Sequence, residues 1–205
     1  MQSDALTWGV LLEHSKESPH LVFPGILSLL NGCLHKLKFG LQGKRIHIGN
    51  AFRLHGRLNV RGPGKIEIGD NCLIHSDIFG ITSLRTNSRE ATIRIGDNVG
   101  MNGTVIQCSE VIDIGDYAVI ANAYISDSSG HSLFPGRYNR SGNDIPKARI
   151  KINRDVWISA FAVINRGVEI GEGSVIGALS FVNRNVQPNC LYAGSPAEFV
   201  KRLGE

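Results

Sequence analysis

The segment INRDVWISAFAVINRGVEIGEGSVIGALSFVNRNVQ, residues 152–187, carries an aliphatic residue at every sixth position. These aliphatic positions are Ile152, Ile158, Ile164, Ile170, Ile176 and Val182. The fifth residues of the hexads are small or β-branched, namely Val156, Ala162, Val168, Ser174, Ser180 and Val186. A period of six fits neither an amphipathic helix nor alternating hairpin strands. The segment therefore predicts short strands joined by corners, with the aliphatic side chains pointing into a shared core.

The same frame occurs upstream in a less regular form. IGDNCLIHSDIF begins at Ile68, IGDNVGMNGTVI at Ile95 and IGDYAVIANAYI at Ile114, with a fainter copy, IGNAFRLHGRLN, at Ile48. Glycine accounts for 24 of 205 residues, which suits a chain with many tight corners. Since a single coil cannot bury its own inward side chains, the coils must stack. The pattern predicts an all-β solenoid over residues 46–193.

These hexads, together with the ending AGSPAEFVKRL at residues 193–203, resemble the hexapeptide acyltransferases. The chain is most similar to the galactoside, maltose and xenobiotic acetyltransferases and to the O-acetyltransferases of surface-polysaccharide pathways. The resemblance covers about residues 46–203. It implies a left-handed parallel β-helix, acetyl-CoA as donor, and a homotrimer with active sites between subunits.

Both ends of the chain are predicted to be helical. Residues 1–45 are predicted to form an N-terminal helical cap, with a helix from about Pro24 to Lys38 that closes the open end of the stack. Its aliphatic residues on one face are Ile26, Leu29, Leu30, Leu34 and Leu37. A helix lying on a membrane surface is the alternative. At the other end, Ser195 as N-cap with Pro196 and Glu198 after it predicts a short C-terminal helix over residues 194–205.

Charge is unevenly distributed along the chain. Residues 1–65 carry nine Lys or Arg and three acidic residues, whereas the remainder carries 13 basic and 15 acidic residues. A basic N-terminal third allows a weak contact with an anionic membrane surface, although a solvated face explains it equally well. No nucleic-acid motif accompanies the charge, so no nucleic-acid partner is predicted.

The sequence shows no pattern typical of a membrane span, a signal peptide or a metal site. No apolar run reaches the length of about 18 residues that a membrane span needs. The N-terminal residues MQSDALTWGV lack a signal-peptide pattern. The four cysteines, at 33, 72, 108 and 190, show no metal-ligand spacing. We therefore expect a cytoplasmic protein, with the inner membrane surface as an alternative location, and no metal.

The repeat is interrupted once at length. Ile95 and Ile114 are 19 residues apart, close to three hexads, whereas Ile114 and Ile152 are 38 apart. The excess predicts that residues 126–149 protrude as a loop from one corner. Long loops on rigid scaffolds often carry function.

One histidine, His131, lies in this loop. The stretch ISDSSGH, residues 125–131, resembles the one that ends in the catalytic histidine of similar acetyltransferases. The resemblance implies that His131 is the catalytic base. Imidazole suits the role because it is largely neutral at pH 7 and can accept the proton of an attacking hydroxyl. A structural loop histidine is the alternative. No catalytic role is predicted for the other six histidines, of which His75, beside a corner, is the least certain.

The resemblance also implies further site residues. Asn122 matches an asparagine that contacts the acceptor in similar sugar acetyltransferases, although it could instead stabilise a turn. Asp127 is expected to orient the acceptor or the imidazole, and the alternative is an aspartate that caps the loop. The predicted acetyl-CoA contacts are Trp157, Ser159, Ala160, Gly177, Ala178, Arg184 and Lys201. Among these, the backbone N–H groups of Ser159 and Ala160 would meet the thioester carbonyl. Glu198 departs from the pattern, because the sugar enzymes carry an arginine there, and Arg202 could compensate.

The predicted fold also allows other functions. A γ-type carbonic anhydrase would need three histidines on a metal, but residues 96–155 contain His131 alone. A non-catalytic β-helix scaffold and an N-acyltransferase acting on an amino sugar stay open. The sequence best supports an acetyl-CoA-dependent O-acetyltransferase whose acceptor is a small molecule or a saccharide, such as a sugar or polysaccharide precursor.

Overall fold

The computed structural model describes residues 19–76, 80–139 and 144–204, which form one α-helix, α1 (Pro19–Leu41), and strands β1 to β20, with a short 3₁₀ helix at Arg137–Asn139 between β12 and β13. Three sheets make the faces of a prism. The first face contains β1 (Ile46–Ile48), β4 (Lys65–Ile68), β7 (Thr92–Ile95), β10 (Val111–Ile114), β13 (Ile150–Ile152) and β16 (Glu169–Ile170). The second contains β2 (Arg53–His55), β5 (Leu73–His75), β8 (Gly100–Asn102), β11 (Val119–Ala121), β14 (Trp157–Ile158), β17 (Val175–Ile176), β19 (Cys190–Ala193) and β20 (Glu198–Arg202). The third contains β3 (Leu58–Arg61), β6 (Thr82–Thr86), β9 (Val105–Cys108), β12 (Tyr124–Ser126), β15 (Val163–Ile164) and β18 (Phe181–Val182).

Strand register confirms the hexad frame. On the first face, Ile68 pairs with Ile95, Ile95 with Ile114, and Ile114 with Ile152. Ile152 pairs in turn with Ile170, and these isoleucines are at most 3% exposed. Each coil thus places an aliphatic side chain directly above the previous one. The predicted parallel β-helix is confirmed.

The recurring Ile-Gly-Asp motif has a direct structural cause at the corner after the first face. The Asp97 carboxylate accepts a hydrogen bond from the Asp70 backbone N–H at 2.7 Å, and Asp116 accepts one from Asp97 N–H at 2.8 Å. A β-carbon on Gly69 would collide with the Asp97 carboxylate. Glycine before aspartate is therefore needed for one coil to hold the next.

The outward side of the first face is charged and internally paired. Arg94 bonds to Asp113 at 2.8 Å and approaches Glu67 at 3.5 Å. Further along, Lys151 pairs with Glu169 at 2.7 Å. Ion pairs of this kind suit a face that stays in water.

Helix α1 is longer than predicted and packs through an unexpected side. It begins at Pro19 and continues through Pro24, which removes one intrahelical hydrogen bond but does not end the helix. Ser28 and Phe39 are buried, whereas the predicted apolar face is largely exposed. The Asn31 amide donates to the carbonyls of Leu54 and Gly56, both at 3.0 Å. The polar side of α1 thus lies against the edge of β2.

The predicted C-terminal helix over residues 194–205 is wrong for the part that is described. Residues Glu198–Arg202 form β20, which pairs antiparallel with β19. The rings of Tyr192 and Phe199 pack edge to face, with centroids 5.8 Å apart. The free edge of β19 offers backbone partners and an aromatic contact, and this tertiary pairing overrides the local helix signal of Ser195, Pro196 and Glu198.

Candidate active site

One edge of the prism, where each coil passes from the second face to the third, carries polar and small residues in register. These residues, which we call the corner row, are His55, His75, Asn102, Ala121, Ser159 and Gly177. The last two directly follow the paired residues of β14 and β17. Neighbouring coils are spaced by about 4.8 Å. The corner row is therefore a continuous ledge along the stack.

Asn122 lies beside the corner row with its amide unsatisfied. It adopts a left-handed φ of 48°, a conformation that asparagine tolerates at turns. Among the described residues, the buried Oδ1 atoms of Asn122 and of Asn102, one coil earlier, have no hydrogen-bond partner. A β-carbon on Gly103 would collide with the Asn122 amide. Two buried acceptors on adjacent coils are therefore left unpaired beside the corner row, and buried polar groups are normally hydrogen-bonded.

The next coil places Trp157, Ser159 and Ala160 at the same edge. Trp157 is half-exposed and lies two residues before Ser159, so both side chains point outward from the second face. Ser159 N–H already donates to the Ile176 carbonyl at 3.0 Å. Ala160 N–H has no acceptor among the described residues. Of the two predicted oxyanion donors, Ala160 is the one left free for a ligand.

Gly177 and Ala178 occupy the following coil, and glycine has an internal reason to be there. A β-carbon on Gly177 would come within 2.8 Å of the Ala193 β-carbon, so the close approach of β19 requires glycine. Ala178 is exposed. The edge thus brings together Asn122, Trp157, Ser159, Ala160, Gly177 and Ala178 on three consecutive coils.

A second edge, between the third and first faces, carries the long excursion. Strand β12 ends at Ser126 and β13 begins at Ile150, so the loop leaves the prism on the far side of the third face from Asn122. Its base is held by a bridge between Ser128 and Lys147 and by Ser129 N–H donating to the Pro146 carbonyl at 3.0 Å.

Asp127 braces the base of this loop. Its carboxylate is fully buried and accepts hydrogen bonds from the backbone N–H groups of Ser109 at 2.7 Å and Glu110 at 2.8 Å. The Cys108 thiol also approaches the carboxylate at 3.4 Å, and burial together with this negative charge raises the pKa of that thiol. These contacts give Asp127 a turn-stabilising role and leave it no surface for an acceptor.

His131 lies on the exposed part of the loop. Its backbone carbonyl accepts a hydrogen bond from the Ser129 hydroxyl at 2.7 Å. Within one chain, the third face lies between the base of the loop that carries His131 and the edge that carries Asn122. An exposed imidazole on a protruding loop is placed to reach another surface.

The two predicted phosphate contacts lie apart. Arg184 is exposed just after β18, on the edge that carries the loop. Lys201 is exposed on β20, opposite Leu191 of β19, and Glu198 and Arg202 lie at the two ends of that strand. Lys201 and Arg202 therefore stand near the second face, where Ala178 lies, and Arg184 does not.

A histidine pair in the corner row was not predicted. The rings of His55 and His75 are 5.5 Å apart between centroids and lie edge to face. Burial, then the neighbouring His75 and Arg53, lowers the pKa of His55 below its ordinary value. The strings RLHG and LIHS, aligned in the hexad frame, were the signal that could have placed both histidines in one register position.

The described residues form no candidate metal cluster, and a depression on the surface of the prism lies away from the predicted site residues. In residues 19–76, 80–139 and 144–204, no group of three or more His, Cys, Asp or Glu side chains could hold a metal ion. A shallow depression of about 410 Å³, lined in part by Asn153, Glu172 and Pro188, lies at another corner and contains none of the predicted residues. A convex prism needs loops or a second copy to enclose a ligand.

Comparisons with known proteins support the hexapeptide assignment. Residues 149–184 match the family model described as Bacterial transferase hexapeptide (six repeats). The chain is 29% identical over 140 residues to galactoside O-acetyltransferase of Escherichia coli, covering 67% of this chain and 64% of that protein. It is 28% identical over 155 residues to the putative lipopolysaccharide biosynthesis O-acetyl transferase WbbJ of the same organism, covering 70% and 74%.

A solved structure shows the same fold. AntD, an N-acyltransferase from Bacillus cereus in complex with dTDP and 3-hydroxybutyryl-CoA, superposes with a TM-score of 0.65 at 22% identity, covering 81% of this chain and 87% of that one. The resemblance to hexapeptide-repeat acyltransferases predicted from the sequence is confirmed.

Proposed function

We propose that this hexapeptide-repeat protein transfers an acetyl group from acetyl-CoA to a hydroxyl of a sugar or polysaccharide precursor. The observation that carries the proposal is the edge on which Asn122, Trp157 and Ala160 come together on consecutive coils. The exposed indole and the unpartnered N–H group offer contacts for a thioester, and the unpaired amide oxygens lie buried beside them. The relatives named as O-acetyltransferases favour this reaction.

The proposed reaction needs one proton acceptor. The acceptor oxygen attacks the thioester carbonyl carbon while neutral His131 takes the hydroxyl proton. Ala160 N–H stabilises the negative charge on the carbonyl oxygen. The carbon–sulfur bond then breaks, and the CoA thiolate leaves with the proton returned by His131. The products are the acetyl ester and free CoA, and no covalent enzyme intermediate is needed.

The positions of the two edges favour a site shared between copies. His131 and Asn122 are separated by the third face in one chain, so His131 of a neighbouring copy would complete the ledge. A left-handed helix, a homotrimer and a cytoplasmic location are part of the same proposal. The apolar side chains of Tyr124, Phe161 and Leu179 are exposed near the edge between the second and third faces, and they give the copies a surface to share.

Transfer to an amine is the second candidate. The fold shared with AntD, named as an N-acyltransferase, favours it, and the unsatisfied amide oxygens could accept from an amine as well as from a hydroxyl. A non-catalytic scaffold would have no use for the free groups of the corner edge.

The proposed function is tested with labelled acetyl-CoA and a panel of sugar nucleotides, free glycosides, amino sugars and polysaccharide repeat units. We expect label in an ester, which hydroxylamine or mild alkali releases. Label that resists release would establish an amide and favour the amine candidate. Absence of transfer to every class, with acetyl-CoA bound, would favour the scaffold.

The donor assignment has its own test. Arg184→Ala combined with Lys201→Ala should weaken CoA binding at least about tenfold, because charge-assisted phosphate contacts are lost. Calorimetric titration at low and high salt measures it, and binding to the intact protein should weaken as salt rises. Lys36→Ala, in α1, is the matched control. An unchanged affinity in the double variant would move the phosphates elsewhere.

A further inference from the structure

Helix α1 exposes a continuous apolar stripe. Its members, which we call the α1 stripe, are Phe23, Ile26, Leu27, Leu30, Leu34, Leu37 and Leu41. They range from 39% to 81% exposed. Six of them follow a spacing of four and three residues, which keeps them on one side of a helix over its whole length. Scattered exposed leucines are ordinary, but an aligned series of this length indicates a binding surface.

The described coils leave the α1 stripe uncovered, because they pack against the opposite side of the helix. Leu30 and buried Phe39 are nine residues apart, so at about 100° per residue they lie on opposite sides of the helix. The opposite side is fixed: Asn31 bonds to β2, and a β-carbon on Gly32 would collide with the Phe52 carbonyl. Lys36 adds a hydrogen bond to the Gly49 carbonyl at 3.3 Å.

The part of the chain that contains α1 and the first coil is cationic. Residues 19–66 contain no Asp or Glu. They contain the basic residues Lys36, Lys38, Lys44, Arg45, Arg53, Arg57, Arg61 and Lys65. Lys38, Arg57 and Arg61 are exposed and make no ion pair with any described residue. The first face further along the stack, by contrast, pairs its charges internally.

We propose that α1 binds the surface of an anionic lipid bilayer, with the α1 stripe in the acyl region and the neighbouring cations at the lipid phosphates. Apolar area on one side of a helix and Lys or Arg beside it are the features of interfacial helices. Among the described residues, no helix is long and apolar enough to cross a membrane. The proposal is independent of the reaction at the corner edge.

A second copy of this chain fits the α1 stripe less well. Pairing two identical stripes would bring two acid-free regions together, with no carboxylate in residues 19–66 of either copy to balance the charge. Like charges at an interface oppose association. Anionic headgroups supply the opposite charge that a second copy lacks.

Cys33 provides a probe without mutation. It is the exposed cysteine of the four, three residues after Leu30, whereas Cys72, Cys108 and Cys190 are buried. Burial raises the pKa of the Cys72 thiol to about 11, so little reactive thiolate forms there near neutral pH. An environment-sensitive thiol dye should therefore label Cys33 selectively in the full chain.

The experiment compares vesicles of phosphatidylcholine with vesicles of phosphatidylcholine and phosphatidylglycerol. We expect the protein to float with the anionic vesicles, to leave them as salt rises, and to show a blue-shifted Cys33 dye only when bound. Leu30→Glu should weaken partitioning at least about tenfold, because a charge replaces a leucine that enters the acyl region on binding. Lys38→Glu should also weaken it about tenfold, because it reverses a charge at the headgroups.

Matched controls lie on β20, at the other end of the stack. Val200 is exposed to nearly the same extent as Leu30, at 53% and 56%, and Val200→Glu should leave partitioning unchanged. Lys201→Glu is the corresponding control for Lys38→Glu. All four sites are exposed, and far-UV circular dichroism checks that the variants are folded.

Three outcomes would overturn the proposal. The first is no flotation with either vesicle, and the second is equal flotation with both, since the cations would then have no role. The third is a fall in solution mass for Leu30→Glu without vesicles, which would make the α1 stripe a contact between copies. Anionic-selective binding that Leu30→Glu and Lys38→Glu weaken, and their β20 controls do not, would support it.

Discussion

Two edges of the same prism are built in opposite ways. The edge between the second and third faces carries one corner residue per coil in register, from His55 to Gly177. The edge between the third and first faces is interrupted by the excursion between β12 and β13. A stacked edge presents a continuous surface but does not extend from the prism. A protruding loop extends from the prism but does not present a continuous surface. In the proposed function each edge supplies half of the site.

The largest expected effect comes from the loop. His131→Ala should lower turnover by about 10²–10⁴, the usual contribution of a general base, while acetyl-CoA binding by calorimetry stays within a small factor. His47→Ala is the matched control, because His47 is exposed on β1 of the first face. Near-normal turnover of His131→Ala on the true acceptor would remove the loop from the mechanism.

Mixing two inactive chains tests whether the edges meet across copies. Ala178→Trp should obstruct the ledge, and His131→Ala should remove the base. Random co-assembly of the two in equal amounts should restore about one quarter of the wild-type rate, because each shared site needs two independent choices of chain. Activity assays on refolded mixtures and on each variant alone measure it. No recovery would place both halves of the site in one chain.

Asp127 tests whether the base of the loop is structural. Asp127→Asn should lower the free energy of unfolding by about 1–3 kcal/mol, because a buried charge-assisted hydrogen bond to a backbone N–H is lost. Denaturant titration measures it. Asp155→Asn, at an exposed turn with a φ of 55°, should change it by less than about 0.5 kcal/mol. Lost turnover in Asp127→Asn at unchanged stability would instead indicate contact with the acceptor.

The smallest effect is expected in the corner row. Burial lowers the pKa of His55 in the folded chain, so the unfolded chain binds a proton more readily. Stability should therefore fall as the pH drops below about 6.5, the ordinary histidine value. His55→Gln should flatten this dependence between pH 7 and 5, and His47→Gln should not. Denaturation midpoints at pH 7 and pH 5 measure this dependence in the wild type and both variants. An equal loss of stability in all three proteins would contradict the lowered pKa of His55.

The core of the stack was predictable because its chemistry repeats. The ladder through Ile152 and Ile170 follows from the hexad period, and the register needed no tertiary information. The site residues beside Ala160 followed from family resemblance. The resemblance did not indicate which of the N–H groups of Ser159 and Ala160 is free. That depends on whether the Ile176 carbonyl of the next coil accepts a hydrogen bond from Ser159.

The ends were harder to predict because their partners are distant in sequence. Ser195 and Glu198 carry a helix signal, but the open edge of β19 converts the segment to a strand. In α1, the aliphatic spacing identified one face without indicating which side packs. The small residues Ser28 and Gly32 let the helix approach the coil closely, so the larger leucines face outward.

The last coil has a consequence for the assembly of many chains. A stack of parallel strands has two open ends, and each could accept a strand from another molecule and grow into a fibre. Here Asn31 occupies carbonyls at the start of the stack. At its finish, β20 covers β19, and Ala197 N–H bonds to the Phe181 carbonyl at 2.8 Å. The reversed direction of β20 stops parallel growth, so the number of coils in the prism is fixed by its own ends.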